Sequence, residues 1–231
     1  MSIYLLIHGS FQGGWIWKPT AKVLKDMGHT VYAPTLDGCG ERAQQIRPGI
    51  TVTSQAMEIY GLLFNEDLED VILVGTSTGG LVASKIAELS RERISRIVYV
   101  DALAPQPGEL VSNIVVRDSD QINEITDLSR GPSREDAAKR LFAELEPSLR
   151  EWALQRYTLH PIEASEAPDQ LDLFWSQEWP DTRVIRCNLS VNPPESHQRR
   201  TAERLKASWH ELDAGHYPML SHPKELAQLL I

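Results

Sequence analysis

Four consecutive residues, Val71–Val74, carry no polar side chain, and the six that follow read Gly75-Thr76-Ser77-Thr78-Gly79-Gly80. A short apolar run stopped by glycine fits a strand covered on both faces. Leu81–Leu89 reads as the helix that follows. Strand, tight Gly-rich turn and helix form part of a βαβ unit. Such a unit requires a parallel sheet with helices on both faces.

The rest of the chain repeats that alternation. Strands are predicted at Ile3–Ile7, Thr30–Ala33, Arg96–Val100, Arg183–Cys187 and Trp209–Leu212. Helices are predicted at Trp15–Met27, Val52–Phe64 and Glu195–Lys206, and a last one starts at Pro223. Gly28 stands where a helix C-terminal glycine belongs. Residues 35–50 read as a loop. Between Pro105 and about Pro180 no strand signal is found. That stretch holds amphipathic segments, Arg134–Leu145 and Leu149–Thr158, broken by Pro132, Pro147, Pro161 and Pro168. The expected organisation is a core of 1–104 and 181–231, with 105–180 inserted over it as a helical cap.

With 231 residues and a 42% hydrophobic composition, the chain can bury a full core without staples. Its net charge of −9 argues against nucleic acid and anionic membrane, which need basic patches. Cys39 and Cys187 are too few for a disulfide framework. The N-terminal apolar run is too short for a signal sequence, and no stretch reaches membrane-spanning length. A cytoplasmic protein is expected.

Gly75-Thr76-Ser77-Thr78-Gly79 matches G-x-S-x-G, the nucleophile elbow of the α/β-hydrolase fold. The turn lifts the Ser77 hydroxyl above the sheet. It also aims the Thr78 amide and the helix N-terminus at a developing oxyanion. A phosphate-binding loop would need a Lys before its Ser/Thr, and none is present. His8-Gly9-Ser10-Phe11-Gln12-Gly13-Gly14-Trp15 follows the first strand, where a second oxyanion-hole amide arises in this fold. The Ser10 amide is the expected donor beside Thr78, with Phe11 the alternative. His8 is expected to hold that loop in shape.

The base is expected at His216, in Asp213-Ala214-Gly215-His216 after the last strand. His222 falls at the start of the last helix, and His160 reads as structural or solvent-facing. The acid departs from the common pattern. The loop 188–194 after Arg183–Cys187 has no carboxylate before Glu195, which begins a helix. Asp101 ends the strand after the nucleophile helix and can orient and stabilise an imidazolium there. Its competing reading is a turn-forming aspartate. Asp213 lies too close to His216 along the chain, and Asp37 occupies a loop where no triad acid is expected.

These motifs, with Gly40-Glu41-Arg42-Ala43, Val98-Tyr99-Val100-Asp101-Ala102 and Gly215-His216, resemble small bacterial α/β-hydrolases. That group is related to plant methylesterases, hydroxynitrile lyases and pyrethroid-hydrolysing esterases. The resemblance implies a Ser-His-Asp triad, no cofactor or metal, a helical cap and carboxylesterase activity, with carbamates or amides as further substrates. Thr76 replaces the His or Glu found before the nucleophile in these groups. Gly9 and Tyr217 stand where plant lyases carry Thr and Lys. Without that Lys, cyanide has no cationic partner.

The leading expectation is a serine hydrolase. It would cleave an ester of a small hydrophobic molecule through an acyl-enzyme. The alternatives are a lyase-like or other non-hydrolytic enzyme of this fold, and a non-catalytic small-molecule receptor. Large apolar groups fill the insertion, and Trp152, Trp175 and Phe142 are the expected substrate contacts. Most of those aromatic groups are expected to pack the cap onto the sheet.

Overall fold

Along a strand, successive side chains point to opposite faces, and here both faces are apolar. In the first strand, β1 (Ile3–Ile7), Leu5 and Ile7 join one buried cluster while Tyr4 and Leu6 join another. In β3 (Val71–Ser77), Leu73 faces the first cluster, and Ile72 and Val74 face the second. Each fully buried Leu, Ile or Val contributes about 1.5–3 kcal/mol relative to exposure. A strand apolar on both sides is therefore stable only between two helical layers.

The computed structural model describes residues 1–116, 119–166, 171–179 and 181–231. Pro168 and Pro180, the expected break and boundary, lie outside the described residues. The main sheet adds β2 (Thr30–Tyr32), β4 (Ile94–Ala102), β8 (Thr182–Cys187) and β9 (Ser208–Leu212). Its six strands run in the order β2-β1-β3-β4-β8-β9, and every pairing is parallel. After β2 the chain returns past β1 to lay down β3, so the direction of winding reverses between those two strands. Crevices at the carboxyl ends of such strands are where ligands bind in open α/β sheets.

Helix α1 (Lys18–Asp26) and the helix Pro223–Leu230 cover the face with Tyr4, while α2 (Val52–Asn65) and α3 (Gly79–Leu89) cover the other. α2 begins with a reciprocal cap: Ser54 N donates to Thr51 Oγ1 at 3.1 Å, and Thr51 N donates to Ser54 Oγ at 2.9 Å. The predicted helix Trp15–Met27 splits, because Gly14–Trp17 forms a 3-10 turn and Pro19 then opens α1. The loop of residues 35–50 holds another 3-10 turn, Gly40–Gln45.

The region between β4 and β8 corrects two expectations. It contains a second, antiparallel sheet of β5 (Asn123–Ile125), β6 (Ser129–Pro132) and β7 (His160–Pro161) in the order β5-β6-β7. These strands are very short, all three residues of β5 are exposed, and β6 contains Gly and Pro, so no alternating pattern marks them. The predicted helix Arg134–Leu145 is a short α-turn, Arg134–Asp136, running into a π-helical turn, Ala137–Leu141. It stops there because Arg150 takes up the carbonyls of Phe142, Ala143 and Leu145. The second predicted helix is Pro147–Leu154. Among the described residues no helix is long and apolar enough to cross a membrane.

Candidate active site

β3 ends in the sharp turn anticipated from its glycines. Ser77 sits at φ 51°, a left-handed conformation costly for a side-chain-bearing residue. The surroundings enforce it: Leu103 N donates to Ser77 O at 2.9 Å, and α3 starts two residues later. Gly79 is needed because a Cβ there would lie 2.4 Å from His8 O. The N-terminus of α3 thereby packs directly against the end of β1.

The loop after β1 is pinned by its own histidine. His8 is fully buried, Leu36 N donates to its Nε2 at 3.0 Å, and its Nδ1 lies 2.7 Å from Gly9 O. The proton therefore sits on Nδ1 and Nε2 must stay bare. Burial pushes the His8 pKa down to about 4. This matches the loop-holding role expected of His8. The Ser10 and Thr78 hydroxyls lie 2.9 Å apart, tying this loop to the elbow. Neither the Ser10 nor the Thr78 amide is taken up by a protein acceptor among the described residues. Phe11 also has a positive φ, 70°, and its carbonyl accepts from Thr158 N at 3.3 Å. Its ring lies 5.8 Å from Tyr157, so the insertion reaches this loop.

Asp101 occupies a break in the β3–β4 register. Thr76 pairs with Val100 and Ser77 with Ala102, which leaves Asp101 unmatched at φ 45°. Such irregularities re-aim a side chain next to an active site. The buried Asp101 Oδ2 lies 2.6 Å from His216 Nδ1, across 115 residues of chain. Its Oδ1 accepts from Gln198 Nε2 at 2.8 Å and from Cys187 N at 3.4 Å. Both oxygens of the carboxylate are thus engaged by the protein. Burial works against a charged His216. The hydrogen bond and charge of Asp101, with the charge of Glu144, outweigh it and raise the pKa. The imidazole keeps 19% of its side chain exposed.

Ser77 is half-buried, and no side-chain hydrogen bond joins it to His216 among the described residues. Catalytic hydrogen bonds in unliganded enzymes often close only around substrate. Both residues stand on loops at the carboxyl ends of parallel strands, with Ser77 ending β3 and His216 following β9.

The three aromatic residues expected at the substrate are dispersed. Phe142 is fully buried, its ring 5.0 Å from that of Tyr217. Trp175 is buried against Phe174, and its Nε1 donates to Pro105 O at 2.8 Å. Trp152 is half-buried, edge-on to Trp15 at 5.3 Å. An open groove of about 870 Å³ borders Trp15, Lys18, Lys22, Glu41, Arg156 and Tyr157, but none of Ser77, Asp101 and His216 lines it. The candidate triad at the strand ends is therefore separate from that groove.

Sequence reasoning missed three supporting groups. Gln198 grips Asp101, and also donates to Pro193 O at 2.9 Å. His197 Nε2 accepts from Ala104 N at 3.1 Å and anchors the chain just beyond Asp101. Glu144 accepts from the His216 and Tyr217 amides. No motif marks any of them, because each acts through contacts distant in sequence. His160 is buried rather than solvent-facing, with Nδ1 3.6 Å from Cys39 Sγ.

Comparisons with known proteins agree with this architecture. The family described as "Alpha/beta hydrolase family" matches residues 4–229. A carbendazim hydrolyzing esterase from Nocardioides sp. (strain SG-4G) is 38% identical over 109 residues, covering 47% of this chain and 45% of that protein. Methylesterase 7 of Arabidopsis thaliana is 27% identical over 99% of this chain and 94% of its own length. Among solved structures, a methylesterase protein from Arabidopsis superposes with a TM-score of 0.81 at 19% identity, covering 100% of this chain and 97% of that one. An extracellular alpha/beta-hydrolase from a Paenibacillus species gives 0.78 at 22% identity, covering 100% and 98%.

Proposed function

We propose that this chain, which belongs to the alpha/beta hydrolase family, is a serine carboxylesterase of small hydrophobic esters, with Ser77 as nucleophile, His216 as base and Asp101 as acid. The observation that carries the reading is the 2.6 Å contact between buried Asp101 and His216 Nδ1. It directs the remaining nitrogen, Nε2, away from the carboxylate and free to take a proton. The relatives named as esterases and methylesterases support the same class of reaction.

In the first step Nε2 takes the Ser77 proton as Oγ attacks the ester carbonyl carbon. The carbonyl π electrons move onto oxygen, which the amides of Ser10 and Thr78 receive. Each such donor typically contributes about 2.7–4 kcal/mol to the transition state. The tetrahedral intermediate then collapses. The carbon–alkoxy bond breaks, and the imidazolium returns its proton to the leaving alcohol. Water, deprotonated by His216, cleaves the acyl-serine in the same way and regenerates the enzyme. Asp101 stays ionised throughout and stabilises the imidazolium. No residue assigned a role requires a metal or cofactor.

The segment 105–180 acts as a cap, since Phe11 and His216 both bond to it. Of the three expected substrate contacts, Trp152 keeps surface to meet a substrate, while Phe142 and Trp175 are buried in packing. Tyr217, buried beside His216, supplies no positive charge for cyanide, which favours hydrolysis over lyase chemistry. Cys39 and Cys187 are both free and buried, which suits a reducing, cytoplasmic setting.

A fluorophosphonate probe and a panel of 4-nitrophenyl esters test the proposal together. Covalent labelling at Ser77, lost in Ser77→Ala, with burst release of nitrophenol from short-chain esters is the expected result. Absence of both labelling and turnover would overturn it.

A further inference from the structure

His216 itself is held from two sides, by its ring and by its amide, and only one of those two holders belongs to the proposed triad. On the far side from Asp101, Glu144 Oε2 accepts from His216 N at 3.1 Å and Oε1 accepts from Tyr217 N at 2.9 Å. Both carboxylate oxygens are engaged by two consecutive backbone amides. We propose that Glu144 is a positioning residue for the catalytic base, so that the insertion completes the catalytic apparatus as well as covering it. This rests on His216 being the base, as proposed above.

Three features make this a built arrangement. Gly215 leaves the space that the carboxylate fills, since a Cβ there would lie 1.3 Å from Glu144 Oε2. The segment bearing Glu144 is fixed by Arg150, whose Nε donates to Phe142 O at 3.0 Å and whose guanidinium also reaches the carbonyls of Ala143 and Leu145. The Phe142 ring then packs on Tyr217 at 5.0 Å, a second bond between the same two segments.

The physical role follows from counting restraints. Asp101 fixes the direction of one ring nitrogen, and Leu189 N, donating to Ala214 O at 3.1 Å, ties the loop two residues earlier, but neither holds the His216 amide itself. Glu144 fixes the amide of the same residue. Together they determine where Nε2 points, and a misplacement of about 1 Å costs on the order of 100-fold in rate. Glu144 also acts by charge. The titratable and charged groups facing His216 are Asp101 from β4, Glu144 from the insertion and, from its own loop, Tyr217, whose ring lies 5.0 Å from the imidazole. Of these, Asp101 and Glu144 are the anions that favour the imidazolium.

Glu144→Gln keeps the shape, removes the charge and sets an NH2 against one of the two amides. Glu144→Ala removes the contact altogether. With 4-nitrophenyl acetate, both variants are expected to lose roughly ten- to hundredfold in kcat with KM little changed. The neutral imidazole is the base, so activity falls as pH drops through the His216 pKa. Loss of the Glu144 charge lowers that pKa, and the acid limb of kcat/KM moves to lower pH. NMR titration of the His216 imidazole should show the same displacement. Gly215→Ala should behave like Glu144→Ala, and the double variant should lose no more than either single.

Unchanged kcat, or a lowered melting temperature with the acid limb and the imidazole titration both unmoved, would overturn the proposal. The NMR arm needs no turnover. A wild-type protein inert to every ester would therefore refute the esterase reading while the titration still reports on Glu144.

Discussion

The hydroxyls of Ser10 and Thr78 lie 2.9 Å apart although 68 residues separate them along the chain. Their amides are the two proposed oxyanion donors, so this one hydrogen bond sets the spacing of the hole. Ser10→Ala and Thr78→Val each delete a hydroxyl and spare the amide. Each should cost about 0.5–1.5 kcal/mol of stability and lower kcat several-fold. Urea unfolding and a double-mutant cycle check this. Strictly additive effects would show that the hydroxyls do not act as a pair.

Gly9 is packed against Ser77, the proposed nucleophile. A Cβ at that position would lie 2.6 Å from Ser77 Cβ and 3.2 Å from Ser77 Oγ. Gly9→Ala should therefore displace the hydroxyl and suppress fluorophosphonate labelling by roughly 100-fold. The overpacking itself should cost only about 1–3 kcal/mol of stability. Wild-type labelling in a folded Gly9→Ala variant would contradict the placement of Ser77.

Asp101→Asn replaces a carboxylate that meets two side-chain donors, Gln198 Nε2 and His216 Nδ1. The amide cannot accept from both, so the imidazole loses its orienting partner. Turnover should fall by roughly four orders of magnitude, the loss typical of a serine triad with an amide in place of its acid. The His216 pKa, raised by Asp101 against the effect of burial, should fall. Residual activity in Asp101→Asn should accordingly persist to lower pH than in the wild type.

His8 and His160 predict acid instability. Burial lowers their pKa values from 6.5 to about 4 and about 3, so both stay neutral in the folded chain. Once unfolded, they take up protons below 6.5. Between that value and about 4 the unfolded state binds more protons, so stability falls as pH falls. Each histidine can contribute up to about 1.4 kcal/mol per pH unit in that window. Urea unfolding free energies at a series of pH values check it, and a flat profile would refute the buried neutral state.

Much of the fold was readable because period and punctuation carried it. β1 and the start of the last helix lie where the pattern placed them, since apolar runs and proline act within a few residues. The insertion was misread for the opposite reason. β5 and β6 are too short and too polar to show a period, and the π-helical turn ends where Arg150 intervenes. Tertiary partners, rather than local preference, decide such segments.

The site divides along the same line. Sequence alone singled out the groups proposed to carry the chemistry: a serine between glycines after an apolar strand, a histidine behind Gly215, and an aspartate closing β4. Those assignments need only local backbone geometry and the reactivity of side chains. Tertiary structure decided how the groups are held. The register break at Asp101, the grip of Gln198 and the Glu144 contact with the His216 loop each join residues tens of positions apart. A hydrogen bond depends on distance in space, and only the folded sheet and its insertion set that distance.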